Sequence, residues 1–256
     1  MRLTGNTVLV TGGGSGIGRG LAVALHEAGN RVVIAGRRIE ALRAVADEHP
    51  GITCLELDQS NRHSIELFAG EVRRRHTDLN VLVNNAGMIA VEDLSDPDPD
   101  VASAVISTNL LGPVVLTSLL LPTLRAQRNP AIINVTSASA FVPLAFAPTY
   151  SATKAALHAY TESLRFQLQD SGVRVIEIAP PRVETDMEGP ADDDYTMSVD
   201  DFIAETMSLL ASRPDAAEVI VKAARGLREA ERDGVYAEVF AAVNPTSLAA
   251  ARQEVL

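Results

Sequence analysis

The feature that most limits the fold of this chain is the alternation of short, β-branched apolar runs with longer amphipathic ones. Residues 7–11 (TVLVT), 31–35 (RVVIA), 52–57, 81–83, 131–136 (AIINVT), 173–179 and 235–240 read as strands. Residues 17–28, 39–48, 64–76, 100–127, 148–169, 199–211 and 215–231 read as helices, with Pro113 expected to bend the long one. Several strands are apolar throughout, the pattern of strands covered on both faces. The alternation therefore predicts an α/β fold, a parallel sheet between two helical layers. No linker, repeat or low-complexity tract divides the chain, so residues 1–256 are expected to form one domain. After the break at Pro180-Pro181, residues 186–200 are expected to be an irregular lid, and 245–256 a helical tail.

Charge and cysteine content narrow the function. A formal charge of −11 and a pI near 4.9 argue against a nucleic-acid partner, which needs a concentrated basic face. No leader peptide is visible before the first strand. No apolar stretch reaches the roughly 18 residues of a spanning helix, so no membrane role is expected. Cys54 is the single cysteine; it excludes an internal disulfide and fits a reducing, cytoplasmic setting.

Ligands of such sheets bind beyond the carboxyl ends of the strands, where the strand order reverses. Candidate chemistry gathers there. Thr11-Gly12-Gly13-Gly14-Ser15-Gly16-Ile17-Gly18 joins the first strand to the first helix. Its glycines permit a tight turn and close approach of backbone N–H groups to a phosphate, while the helix N-terminus adds positive potential. The spacing is G-x-x-x-G-x-G rather than G-x-G-x-x-G. The second strand ends at Gly36-Arg37-Arg38, with no carboxylate until Glu40. Two guanidinium groups suit a ribose 2′-phosphate, so NADP is expected as cofactor in preference to NAD. No metal-ligating cluster is expected.

The second half of the site is expected in residues 137–154, SASAFVPLAFAPTYSATK. Tyr150 and Lys154 are four apart and share one helical face. There the ammonium favours the ionised phenol and draws its pKa from near 10 towards working pH. The chain holds two lysines among 22 Lys and Arg, so a lysine at this position is a selective choice. Alone, the spacing fits a plain helix surface equally well. His158, one turn further on, reads as a packed or exposed helix residue.

Taken together, T-G-x-x-x-G-I-G at 11–18, N-N-A-G at 84–87, Asn109, Ser137 and Tyr150-x-x-x-Lys154 resemble the short-chain dehydrogenase/reductase family, in order and spacing. The resemblance covers about residues 5–187. It implies a Rossmann-type, doubly wound sheet of about seven strands, a nicotinamide cofactor and hydride exchange between a carbonyl and an alcohol. By position it makes Tyr150 the general acid or base, Lys154 its activator and a ribose ligand, and Ser137 the holder of the substrate oxygen. Asn109 would carry a water of a proton relay. Gly12, Gly14, Ser15, Gly16, Ile17, Gly18, Arg37, Arg38, Asp58, Asn85, Ala86, Gly87, Pro180, Val183 and Thr185 would bind cofactor, Asp58 at the adenine. As alternatives, Asn84 and Asn109 fit capping amides, and Asp58 a helix cap. Pro181 stands where the family usually has glycine. The apolar segment 138–146, the residues after Gly87 and the lid would line the pocket for a small carbonyl or alcohol. A homodimer or homotetramer is expected, through helices 100–127 and 148–169. A lyase or epimerase with retained cofactor, and a non-catalytic NADP-binding regulator, are the rival readings.

Overall fold

In the computed structural model, which describes residues 2–185 and 196–244, the first apolar run forms β1 (Thr7–Thr11), buried at every position. There follow α1 (Gly16–Glu27), β2 (Arg31–Gly36), α2 (Ile39–Glu48), β3 (Thr53–Glu56), α3 (Arg62–Arg75) and β4 (Val81–Asn84). The long helical region divides into α4 (Pro99–Ile106), a π-turn at Ser107–Leu111 and α5 (Gly112–Arg125). Next come β5 (Ala131–Val135), a 3₁₀ turn at Ala138–Ala140, α6 (Pro148–Leu168), β6 (Arg174–Ile178) and β7 (Arg182–Val183). The described chain closes with β8 (Thr196–Met197), α7 (Val199–Ser212), β9 (Glu218–Val219), α8 (Lys222–Glu229) and α9 (Tyr236–Val243).

Seven strands form one sheet in the order β3-β2-β1-β4-β5-β6-β9, and every pair is parallel. Successive residues of a strand point to opposite faces, and both faces are buried. Val8, Val10, Ile34, Val83 and Ile133 pack with Leu21, Leu25, Leu42 and Phe202 of α1, α2 and α7. Leu9, Val33, Leu82 and Ile132 pack with Phe68, Leu116, Leu120 and Leu124 of α3 and α5. This explains the continuous apolar runs and gives the expected Rossmann-type arrangement. The chain leaves β1 towards β2 and β3, then crosses back to β4. The crevice between the carboxyl ends of β1 and β4 is the switch point.

Four local expectations are corrected. Residues 235–240 are not the last strand: α9 runs through Ala241 and Ala242 to Val243, and its Tyr236 and Phe240 rings stack 6.1 Å apart, one turn along the helix. The seventh strand is instead β9, two residues long, paired to Glu177 and Ile178. It interrupts the helix expected over 215–231. The irregularity in the long helix is the π-turn, in which the Gly112 N–H donates to the Ser107 carbonyl. Pro113 lies in the first turn of α5, and brings no N–H to the carbonyl of Asn109 four residues back. A Cβ on Gly112 would fall 2.4 Å from Gln59, so glycine lets the π-turn lie on the loop after β3. Finally, the continuous helical region Pro99–Arg125 is long and apolar enough to cross a membrane by length and composition. Its Leu116, Leu120 and Leu124 are fully buried under the sheet, as in a core helix. Of the expected lid, residues 196–200 form β8 and the start of α7; residues 186–195 and the tail at 245–256 lie outside the described residues.

Candidate active site

The glycine turn is built by close approach. Gly12 has φ +70°, and a Cβ there would lie 2.9 Å from Ala86 Cα. A Cβ on Gly18 would lie 2.2 Å from the Gly12 carbonyl oxygen, so only glycine lets α1 start directly against the turn. The N–H groups of Gly12 and Gly13 both donate to the Ala35 carbonyl. Thr11 Oγ1 accepts from the N–H groups of Asn85 and Ala86, each at 3.0 Å, and Asn85 Nδ2 donates to the Thr11 carbonyl at 2.9 Å. The loops after β1 and β4 are thus one unit. Thr185 completes it, lying 3.0 Å from where a Gly16 Cβ would be.

At the far end, Arg38 Nη2 donates to Ser15 Oγ at 2.8 Å, so one guanidinium already leans over the turn. Asp58 lines the same crevice, with one carboxylate oxygen accepting from Ser60 N–H (3.0 Å) and hydroxyl (2.7 Å). The helix-cap alternative is corrected: the N-cap of α3 is Asn61, whose side chain accepts from the Ser64 N–H. Gln59, unremarked in the sequence, donates from Nε2 to the Ala86 and Thr108 carbonyls and joins the β4 loop to the π-turn. Its position directly after Asp58 was the only available signal.

The other half converges as the sequence spacing requires. β5 ends at Val135, and Ser137 is extended at φ −170°, its Oγ accepting from the Ser139 N–H at 3.1 Å. Pro148 opens α6, placing Tyr150 and Lys154 one turn apart at the same edge. They are 7% and 5% exposed. Lys154 Nζ donates to the Val135 carbonyl at 3.0 Å and lies 5.6 Å from the Tyr150 ring centre. A Cβ on Gly87 would lie 3.3 Å from Asn109 Oδ1 and 3.6 Å from Lys154 Nζ, so these three meet. The Asn109 amide accepts from Met88 N–H and donates to Met88 carbonyl, each at 2.8 Å, and also donates to Thr153 Oγ1 at 3.2 Å. Its side chain is a clamp on the β4 loop. Asn84 donates to Asn134 of β5 and to Thr117 of α5, a core role. Glu92, also missed, binds the N–H and hydroxyl of Thr149 at the start of α6.

One cavity of about 780 Å³ joins the halves. Its lining includes Gly12, Gly14, Ser15, Gly16, Ile17, Gly18, Arg37, Arg38 and Asp58, and also Ser137, Tyr150 and Lys154. Asn85, Ala86, Gly87, Pro180, Val183 and Thr185 complete the predicted set, while Asn109 stands just behind the wall. On the Tyr150 side the wall is Met88, Ile89, Ala90 and Val91. The segment 138–146, expected to form that wall, does not line the cavity: Val142 is fully buried in the core and Phe146 packs with Tyr150. The 3₁₀ turn folds it beneath the site. Asn244 fastens this segment from the end of α9, accepting from the Ala145 N–H and donating to the Pro143 carbonyl.

The shape and donor set fit a nicotinamide dinucleotide. The crevice is long, lined at the turn mostly by glycine, open to the N-terminus of α1 and cationic at the end of β2. Known proteins agree. The family model for short chain dehydrogenases matches residues 6–196. An uncharacterized oxidoreductase DltE of Bacillus subtilis is 37% identical over 95% of this chain and 98% of its own. A short chain dehydrogenase from Burkholderia cenocepacia, solved in complex with NADP, superposes with a TM-score of 0.79 at 31% identity, covering 93% of this chain and 99% of that one. An alcohol dehydrogenase from the archaeon Thermococcus sibiricus, complexed with 5-hydroxy-NADP, gives 0.75 at 25% identity over 84% and 95% of the two chains. The chain belongs to the short-chain dehydrogenase family and is an oxidoreductase of that type.

Proposed function

We propose that this protein interconverts a small carbonyl compound and its alcohol, using NADP in preference to NAD. The observation that carries the reading is the meeting of Ser137, Tyr150 and Lys154 on one wall of the cavity whose other end is the glycine turn. When bound, the nicotinamide supplies or accepts a hydride. The chain's own residues do the rest. The Tyr150 hydroxyl gives its proton to the carbonyl oxygen in reduction and takes it back in oxidation. Lys154, nearly buried and fixed to the end of β5, stabilises the phenolate that remains, because a cation a few ångströms away acts strongly where water is excluded. Ser137 Oγ donates to the same oxygen and stabilises its developing charge. Asn109, which clamps the β4 loop beside Lys154, would hold the water through which Lys154 exchanges protons with solvent. Pro180, Val183 and Thr185 hold the nicotinamide end.

Arg37 and Arg38 support NADP, since both line the cavity at the end of β2 where a 2′-phosphate would accept charge-assisted hydrogen bonds. The NADP complex of the Burkholderia relative supports the same choice. The apolar wall from Met88 to Val91 favours an uncharged substrate. Two copies would pair through the helical region from α4 through the π-turn to α5, and through α6, whose outer faces expose Ile106, Leu111 and Phe166. The test is a panel of ketones, aldehydes and sugars with NADPH and NADH, followed by absorbance. Consumption of NADPH supports the reading; binding without consumption on any carbonyl contradicts it.

A further inference from the structure

The mechanism leaves unused a carboxyl group that the fold buries completely. Glu177 lies in the middle of β6 with 0% side-chain exposure. One oxygen accepts from Thr136 Oγ1 at 2.6 Å, and the other is 2.8 Å from His158 Nδ1. The His158 and Phe141 rings meet edge to face, with centroids 5.0 Å apart and planes at 76°. Arg228 of α8 lies over the same phenyl ring at 4.5 Å, its fork held by both oxygens of Glu218 at 2.9 and 3.1 Å. Glu218 is the register partner of Glu177 in the neighbouring strand. Two adjacent carboxylates thus anchor His158 and Arg228, whose side chains meet one aromatic ring between them.

The placement of these contacts is what matters. Thr136 immediately precedes Ser137, and Phe141 ends the 3₁₀ turn that follows it. Glu177 therefore tethers the serine-bearing turn at both ends, directly through Thr136 and indirectly through His158 and Phe141. A buried ion pair is a poor route to stability alone, because desolvation offsets the attraction and an apolar filling serves as well. It does fix geometry, since a lost partner leaves an uncompensated buried group. We infer that Glu177 and His158 are positioning residues that hold the Ser137–Phe141 turn against the cavity, so that Ser137 Oγ keeps its place beside Tyr150. The inference rests on the proposed function only for the role of Ser137.

The groups around His158 give this clamp a pH dependence. Glu177 faces it from β6, Glu162 from its own helix at 3.7 Å, and Glu218 from β9, with Arg228 opposing across Phe141. The hydrogen bond to Glu177 holds His158 above its ordinary value of 6.5, against desolvation and with help from the three carboxylates. A raised histidine favours the charged form in the fold. The clamp is therefore complete at low pH and weakens as pH rises through the raised value.

The test uses the full chain with saturating NADPH. Hydrogen exchange of the peptide covering residues 137–146 is followed from about pH 6 to about pH 9, the span that brackets a perturbed histidine, and corrected for intrinsic exchange. Protection in the wild type should fall as pH rises. In His158→Gln it should be about tenfold lower at the acid end, the scale of one charge-assisted hydrogen bond, and independent of pH. Glu177→Gln should act in the same direction, and Glu162→Gln, which removes a weaker influence on His158, should keep the protection at the acid end and move the profile only slightly to lower pH. NADPH affinity, measured by fluorescence, should stay within about twofold, because the clamp is remote from the glycine turn. With 4-nitrobenzaldehyde as probe, kcat in His158→Gln should fall about tenfold with the same pH dependence lost. Unchanged, pH-dependent protection in His158→Gln with normal NADPH binding would overturn the inference, as would a lower unfolding midpoint with no local effect. If Glu177→Gln does not fold, His158→Gln alone decides. If the wild type reduces no carbonyl, the proposed function fails while the exchange measurements still decide whether the pair holds the turn.

Discussion

Lys154 Nζ donates to the carbonyl of Val135 across 3.0 Å, joining the helix that carries Tyr150 to the strand that delivers Ser137. The bond fixes three side chains from two elements with a single contact. It also gives the nearly buried ammonium a partner in the last residue of β5. A lysine suits this task because its compact head has three rotatable donors.

Arg37→Ala should weaken NADPH binding about tenfold to a hundredfold and NADH binding hardly at all, since a 2′-phosphate loses one or two charge-assisted hydrogen bonds. Paired binding titrations measure this. Equal losses for the two cofactors would mean that Arg37 does not read the phosphate.

Gly18→Ala should destabilise the fold by about 1–3 kcal/mol, the usual result of overfilling a packed site. The new methyl would lie 2.2 Å from the Gly12 carbonyl and 2.4 Å from Asn85 Nδ2, with backbone on one side and no room to yield. NADPH affinity should fall as well, because the turn and the β4 loop must separate. Denaturant unfolding with a parallel cofactor titration decides the matter; wild-type values in both would contradict the close packing.

Acid should loosen the β9–α8 corner. The hydrogen bond from Arg228 is the main cause that holds the Glu218 carboxyl below its ordinary 4.5. A depressed acid contributes stability above its unfolded value and loses it as pH falls through the folded value. The unfolding midpoint of the wild type should therefore drop as pH falls below about 4.5, and Arg228→Met should show a shallower drop. Equal slopes would show that the pair is not coupled to folding.

Phe166→Glu combined with Leu111→Glu should shift the assembly towards monomer, because both side chains stand largely exposed, on α6 and at the end of the π-turn, and a buried charge opposes association. Light scattering after size exclusion reads the mass. A wild type that is monomeric at all concentrations would refute pairing through these helices.

Much of this site was legible because its parts obey local rules. Continuous apolar runs marked β1, β2, β4 and β5, and strand–glycine–helix order placed the cofactor turn. A four-residue spacing put Tyr150 and Lys154 on one face. Where the reading went astray, tertiary context outweighed local pattern. Residues 235–240 have strand-like apolar content, yet the alanines that follow continue them as α9. β9 is two residues long and owes its existence to the free edge of β6 rather than to its own composition. The apolar content of 138–146 suggests a pocket wall, but apolar content also describes a core, and the 3₁₀ turn sends Val142 there. Glu177 gave no signal, since a carboxylate inside a strand becomes meaningful only beside Thr136 and His158.

The central claim, that Tyr150 moves the proton in a cavity that binds NADPH, is met most directly by one paired measurement. NADPH consumption on the carbonyl panel and NADPH affinity are determined for the wild type and for Tyr150→Phe. The account predicts turnover in the wild type, a loss of about a hundredfold to ten-thousandfold in the variant, as for removal of a general acid, and nearly unchanged affinity. Turnover preserved in Tyr150→Phe would contradict it.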